Sequence, residues 1–117
     1  MIQPIKLANN NFLSSLDISS DEVIHLLEVA NKFKNNDLNI ELQNKVLGLI
    51  FDKSSTRTRV SFKVAMSKLS GTTVDLNPTT SQIGRGEPIK DTARVLSRYC
   101  DVLAIRTFKQ SDLEEYA

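Results

Sequence analysis

The chain has 117 residues, 40% of them hydrophobic and 25% charged, with a formal net charge of +1. That length holds one core and is too short for two ordinary domains, and the near balance of charge excludes a general nucleic-acid or membrane-surface binder. The single Cys100 excludes an internal disulfide. The first twenty residues show neither a signal core nor an Arg-rich presequence, and no apolar window nears the roughly 20 residues of a membrane span, so a soluble cytoplasmic protein is expected.

Residues 1–17 are mixed and Asn-rich, and read as a loosely structured lead-in with Phe12, Leu13 and Leu16 as anchors. Ser19 followed by Glu22 has the form of a capping box, and Ile18 with Val23 that of a hydrophobic staple, so a helix is expected to begin here. Its inner face would be Val23, Leu26, Leu27, Ala30 and Phe33, and the polar run Lys34-Asn35-Asn36-Asp37 ends the pattern. His25, the only histidine, falls on the opposite face and reads as a solvated surface side chain rather than a catalytic one.

The run Val46-Leu47-Gly48-Leu49-Ile50-Phe51 lacks polar alternation, which suits a strand buried on both faces of a parallel sheet. Gly48 either weakens this strand or lets a neighbour pack closely. The chain then breaks into Asp52-Lys53-Ser54-Ser55-Thr56-Arg57-Thr58-Arg59 before a helical stripe of Phe62, Ala65, Met66 and Leu69, with Gly71 free to take a left-handed cap. Between Asp52 and Asp75 stand Lys53, Arg57, Arg59, Lys63 and Lys68 and no acid. Cations at a helix start oppose the helix dipole, which there favours anions by roughly 0.3–1 kcal/mol. Something negative is therefore expected to join Arg57 and Arg59. First-turn N–H groups, the hydroxyls of Ser55, Thr56 and Thr58, and a guanidinium together suit a phosphate.

Thr72-Thr73-Val74-Asp75-Leu76 reads as a second, shorter strand, followed by a polar loop over 77–86. Compact domains usually connect elements in about 4–6 residues, so a loop this long suggests a role. Pro88 favours a first helical turn, and Ile89, Ala93, Leu96 and Cys100 mark the inner face of a third helix, with Arg94 and Arg98 as a solvated basic face outside it. Val102-Leu103-Ala104-Ile105 is a third buried strand with Arg106 directly after it, and Ser111 with Glu114 forms a second capping box opening a last helix. That helix is barely opened at Ala117, so a truncated chain is expected. Strands alternating with helices give an α/β fold, a parallel sheet with flanking helices and right-handed crossovers, whose strand C-termini share one edge. Ligands of open parallel sheets bind at that edge, where the Ser55 turn, the Gln82 loop and Arg106 would gather if strand order allows.

The basic turn is not a Walker loop, and no dinucleotide fingerprint follows a strand. A grip on nucleic-acid backbone, a solvated basic turn and a free-standing anion-binding module remain alternatives on pattern alone. The stretch Phe51-Asp52-Lys53-Ser54-Ser55-Thr56-Arg57-Thr58-Arg59, however, resembles the carbamoyl-phosphate signature of the aspartate and ornithine carbamoyltransferases, with Asp52 where Glu is commoner. The run from Ser81 to Arg98, with Gln82 in its loop, and Lys109-Gln110-Ser111-Asp112-Leu113 resemble the ornithine branch rather than the aspartate branch.

The resemblance implies that residues 1–117 are the incomplete carbamoyl-phosphate-binding domain of a two-domain transcarbamylase, with the ornithine-binding domain absent. It implies transfer of a carbamoyl group from carbamoyl phosphate to the δ-amino group of ornithine, giving citrulline and phosphate, as in arginine biosynthesis, with no metal or organic cofactor. Carried over by position, Ser55, Thr56, Arg57 and Thr58 would hold the phosphate, and Thr58 and Arg106 would reach the carbonyl oxygen. Gln82 would arrive from a neighbouring subunit of a homotrimer. Without the family's later segments, this chain alone is not expected to turn over.

Overall fold

The computed structural model describes residues 6–51, 55–76, 88–107 and 109–117. The chain divides into two compact units, Met1–Ile40 and Glu41–Ala117.

In the first unit the lead-in is more ordered than expected. A short 3-10 helix spans Ser15–Asp17, where the Asp17 carboxylate accepts from the backbone N–H of Leu13 at 2.7 Å and of Ser14 at 3.1 Å. Helix α1 (Ser20–Lys34) follows, with the expected capping box. Ser19 Oγ accepts from the N–H of Glu22 at 3.1 Å, and Glu22 Oε1 accepts from that of Ser19 at 2.9 Å. Glu22 Oε2 also accepts from the N–H of Ala8 at 2.8 Å, so one carboxylate ties the lead-in to the helix start. The N–H groups of Ser19 and then Ala8 hold the Glu22 carboxyl below the usual carboxylate range. At the far end Asn36 takes φ 59°, and the N–H groups of Asn36 and Asp37 return to the carbonyls of Phe33 and Lys32, a Schellman closure.

The predicted inner face of α1 is only partly realised. Phe33 is half-buried, whereas Val23, Leu26 and Leu27 are 40, 41 and 65% exposed. Among its described residues this unit holds one helix and a 3-10 turn, which supply no second layer to cover an apolar stripe. His25, expected to be solvated, is half-buried.

In the second unit β1 (Val46–Phe51), α2 (Thr56–Lys68), β2 (Thr72–Leu76), α3 (Ile89–Leu96), β3 (Val102–Arg106) and α4 (Gln110–Tyr116) alternate as expected. The described strands form a parallel sheet in the order β2-β1-β3, so the most apolar strand is the central one. Leu49 and Ile50 are fully enclosed, each contributing about 1.5–3 kcal/mol of burial. Leu47, Leu49 and Phe51 pack with Met66 and Ala104, and the Phe51 and Phe62 rings meet edge-on at 6.4 Å between centroids. On the other face, a Cβ at Gly48 would come within 2.7 Å of Leu103 Cδ2 and 3.1 Å of Cys100 Sγ, so this glycine admits close packing. Burial and then the neighbouring Asp101 carboxylate push the Cys100 thiol up.

Three local expectations need correction. The left-handed residue after α2 is Ser70 (φ 64°), not Gly71. The N–H of Gly71 closes on Met66 O at 2.8 Å, and a Cβ there would meet Met66 Cε at 2.4 Å, a contact that the flexible methionine end can relieve by shifting. Helix α4 starts at Gln110, one residue ahead of Ser111, and its N-cap residue Lys109 makes no side-chain cap, so the Ser111 and Glu114 box is not formed. Arg106 is the last residue of β3 rather than the one after it. Ile89, Ala93 and Leu96 lie half-buried as the inner side of α3, joined by a buried Thr92 that the apolar pattern overlooks, while the half-buried Cys100 stands beyond the end of the helix at Leu96.

Candidate functional site

Strand order decides where the strand ends meet. From β1 the chain moves to β2 on one side and then crosses back to β3 on the other, which creates a reversal point between β1 and β3. At that point Phe51 and Arg106, the last residues of the two strands, stand in register.

Ser55 is the N-cap of α2, with φ −151° and no capping bond from its side chain. Its hydroxyl oxygen instead accepts a hydrogen bond from Nη1 of Arg106, which joins the turn after β1 to the end of β3. The first helical bond runs from the N–H of Arg59 to Ser55 O at 3.0 Å. Helix geometry leaves the N–H groups of Thr56, Arg57 and Thr58 without intrahelical acceptors, and the first turn carries no acid. Thr56, Arg57, Thr58 and Arg106 are exposed and Ser55 is half-buried. Ser55, Thr56, Arg57 and Thr58 thus share one turn, and Arg106 joins them through Ser55. Gln82 lies outside the described residues, as do Asp52, Lys53 and Ser54.

The anion that the basic turn calls for is in part supplied by the protein. Arg59 Nη1 bonds Asp75 Oδ1, and Lys63 Nζ lies 2.9 Å from Asp75 Oδ2. The Arg59 guanidinium also sits 5.2 Å from the centroid of the Phe51 ring. Arg57 makes no ion pair with any described residue. The cations therefore divide: Arg59 and Lys63 are committed to Asp75, and Arg57 is left at the helix start. Sequence reasoning missed Asp75. Its signal is an acid placed inside a strand, first after a long basic stretch, with Arg59 and Lys63 an i,i+4 step apart to receive it.

Chemically, three backbone N–H groups, a hydroxyl and two guanidiniums suit a small oxyanion such as a phosphate ester or anhydride. In a reaction that builds charge on oxygen, donors fixed in this way would stabilise the transition state.

Comparison with known proteins agrees with this chemistry. Residues 10–117 match the family described as aspartate/ornithine carbamoyltransferase, carbamoyl-P binding domain. The chain is 79% identical over its whole length to an ornithine carbamoyltransferase of Prochlorococcus marinus subsp. pastoris, and covers 38% of that relative. Among solved structures, the ornithine carbamoyltransferase of Pyrococcus furiosus superposes with a TM-score of 0.85 at 42% identity, covering 97% of this chain and 37% of that one. The enzyme from Gloeobacter violaceus gives a TM-score of 0.78 at 50% identity, covering 89% of this chain and 33% of that one. The chain therefore spans less than two-fifths of the length of the relatives it matches.

Proposed function

Because this chain belongs to the aspartate/ornithine carbamoyltransferase family through its carbamoyl-P binding domain, we propose that it supplies the carbamoyl-phosphate half of an ornithine carbamoyltransferase active site. Residues 1–117 would then form most of one domain of a two-domain enzyme, with ornithine held by the remainder. The reaction is attack by the δ-amino nitrogen of ornithine on the carbonyl carbon of carbamoyl phosphate. A C–N bond forms, the C–O bond to phosphate breaks, phosphate leaves with its electron pair, the amine loses a proton, and citrulline results.

The observation that carries this reading is the bond from Arg106 to Ser55 at the reversal point of the sheet. It puts a guanidinium from β3 beside the phosphate-type turn, as the chemistry requires of a group that serves both the phosphate and the carbonyl oxygen. In this reading Ser55, Thr56, Arg57 and Thr58 bind phosphate, and Thr58 and Arg106 stabilise the carbonyl oxygen as charge develops on it. Gln82 completes the site from a neighbouring subunit of a homotrimer. A role in arginine biosynthesis in the cytoplasm follows from the same reading. The ornithine branch is favoured over the aspartate branch by the loop containing Gln82.

The test is steady-state citrulline formation by the full-length protein and its Arg57→Ala and Arg106→Ala variants. Loss of a charged transition-state donor is expected to lower kcat/KM on the order of 10²–10³-fold. Unchanged kcat/KM in both variants would contradict the assignment, and phosphate binding without citrulline formation by the wild type would favour a non-catalytic anion module.

A further inference from the structure

We propose that Asp75 is a positioning residue for the anion site. By engaging Arg59 and Lys63 it fixes the first turns of α2 against the strand ends and leaves Arg57 as the cation available to the ligand. The inference rests on the proposed carbamoyl-phosphate role of the α2 N-terminus.

Asp75 stands on β2 in register with Leu49 of the central strand, one residue before the strand ends. Its two carboxylate oxygens are divided between two cations on one face of α2, Arg59 on Oδ1 and Lys63 on Oδ2. The Arg59 and Asp75 side chains are only 25 and 29% exposed, so solvent screens this pair less than an ordinary surface pair. Arg59 also lies over Phe51, the last residue of β1. A single carboxylate thus links β2, the first turns of α2 and the end of β1. Arg57 and Thr58, the two residues before Arg59, belong to the helix segment held in this way. Were Asp75 absent, Arg59 and Lys63 would lose the carboxylate they share beside Arg57, and the start of α2 would be held by the Arg106–Ser55 bond and by packing, without the tie to β2.

A background charge and a positioning group predict opposite signs. Asp75→Asn removes a negative charge near the site, and through-space electrostatics alone then strengthens anion binding. Positioning predicts weaker binding, because the first-turn donors lose their fixed direction. The experiment titrates inorganic phosphate into the full-length protein by calorimetry, comparing wild type with Asp75→Asn, Asp75→Glu and Arg57→Ala. Phosphate affinity is expected to fall about fivefold or more in Asp75→Asn, the size of coupling seen between groups sharing one network. Asp75→Glu should keep most of the affinity. In turnover assays KM for carbamoyl phosphate should rise more than kcat falls. Affinity in Asp75→Asn equal to or tighter than wild type overturns the proposal. If that variant does not fold, Arg59→Gln removes the cation that Asp75 holds on Oδ1, and unchanged phosphate affinity there overturns the proposal equally. Unchanged affinity in Arg57→Ala is a distinct result that overturns the anion-site reading, and the proposal with it.

Discussion

Two helices of this chain begin in opposite ways. Helix α1 closes its own N-terminus: Ser19 and Glu22 exchange hydrogen bonds with each other's backbone, and Asp21 and Glu22 place negative charge in the first turn. Helix α2 begins with a serine too, but its first turn has no acid, its N-cap side chain makes no cap, and the hydroxyl is held by Arg106 from another strand. At their other ends the two helices agree, since each closes with a left-handed residue, Asn36 and Ser70. The difference is therefore confined to the N-termini. It teaches that α1 closes its first-turn donors with its own side chains, while the first-turn donors of α2 have no intrahelical acceptor and no acid in that turn, which is the arrangement the proposed anion site needs.

The largest effect should come from making α2 begin as α1 does. Thr58 occupies the position in α2 that Glu22 occupies in α1, three residues after the N-cap serine. In Thr58→Glu a capping box can form with Ser55, and its carboxylate takes the place of the ligand. Phosphate binding and citrulline formation by the full-length protein should fall by about 10²-fold or more, while thermal stability holds or rises by about 1 kcal/mol. Retained activity in a folded Thr58→Glu protein would break the comparison.

A smaller effect is expected at α1. Ser19→Ala should cost about 0.5–2 kcal/mol in denaturant unfolding with no change in phosphate affinity. The same cap gives a pH dependence whose sign follows from Glu22. Its folded pKa lies below that of an ordinary glutamate, so the stabilisation is present above the ordinary value and fades as pH falls through the lower folded one. Glu22→Gln should remove that part of the acid dependence, and an unaltered acid transition would count against it. The smallest effect is at the helix end: Ser70→Gly relieves a left-handed serine and should raise stability by about 1 kcal/mol or less, read as a shift in the denaturation midpoint.

Much of the fold is legible in the sequence because it is local. The uninterrupted apolar run from Val46 to Phe51 needs no partner to announce a strand covered on both faces, and it is the central strand. The Ser19 box is legible because its partners stand three residues apart. The same motif at Ser111 misleads, since α4 begins at Gln110 and Ser111 is already inside it. Strand order is not legible locally, and it decides that Arg106 meets Ser55. Asp75 is missed for the same reason: its partners Arg59 and Lys63 lie on a different element, and only the pairing of β2 with β1 brings them together. Ser70 shows the limit of propensity, where the six-residue closure from Gly71 N–H to Met66 O puts the left-handed turn on the serine and not on the glycine beside it. For the candidate site, the Ser55 to Thr58 turn and Arg106 are read from sequence, while the division of cations between Asp75 and the open helix start emerges only in three dimensions.

The most direct test of the central claim is a titration of carbamoyl phosphate into the full-length protein and its Arg57→Ala variant, followed by calorimetry. Saturable binding by the wild type that is weakened at least about tenfold in the folded variant is the result expected of an arginine that pairs with no acid among the described residues and is proposed to hold the ligand. Equal affinity in the two proteins would contradict it.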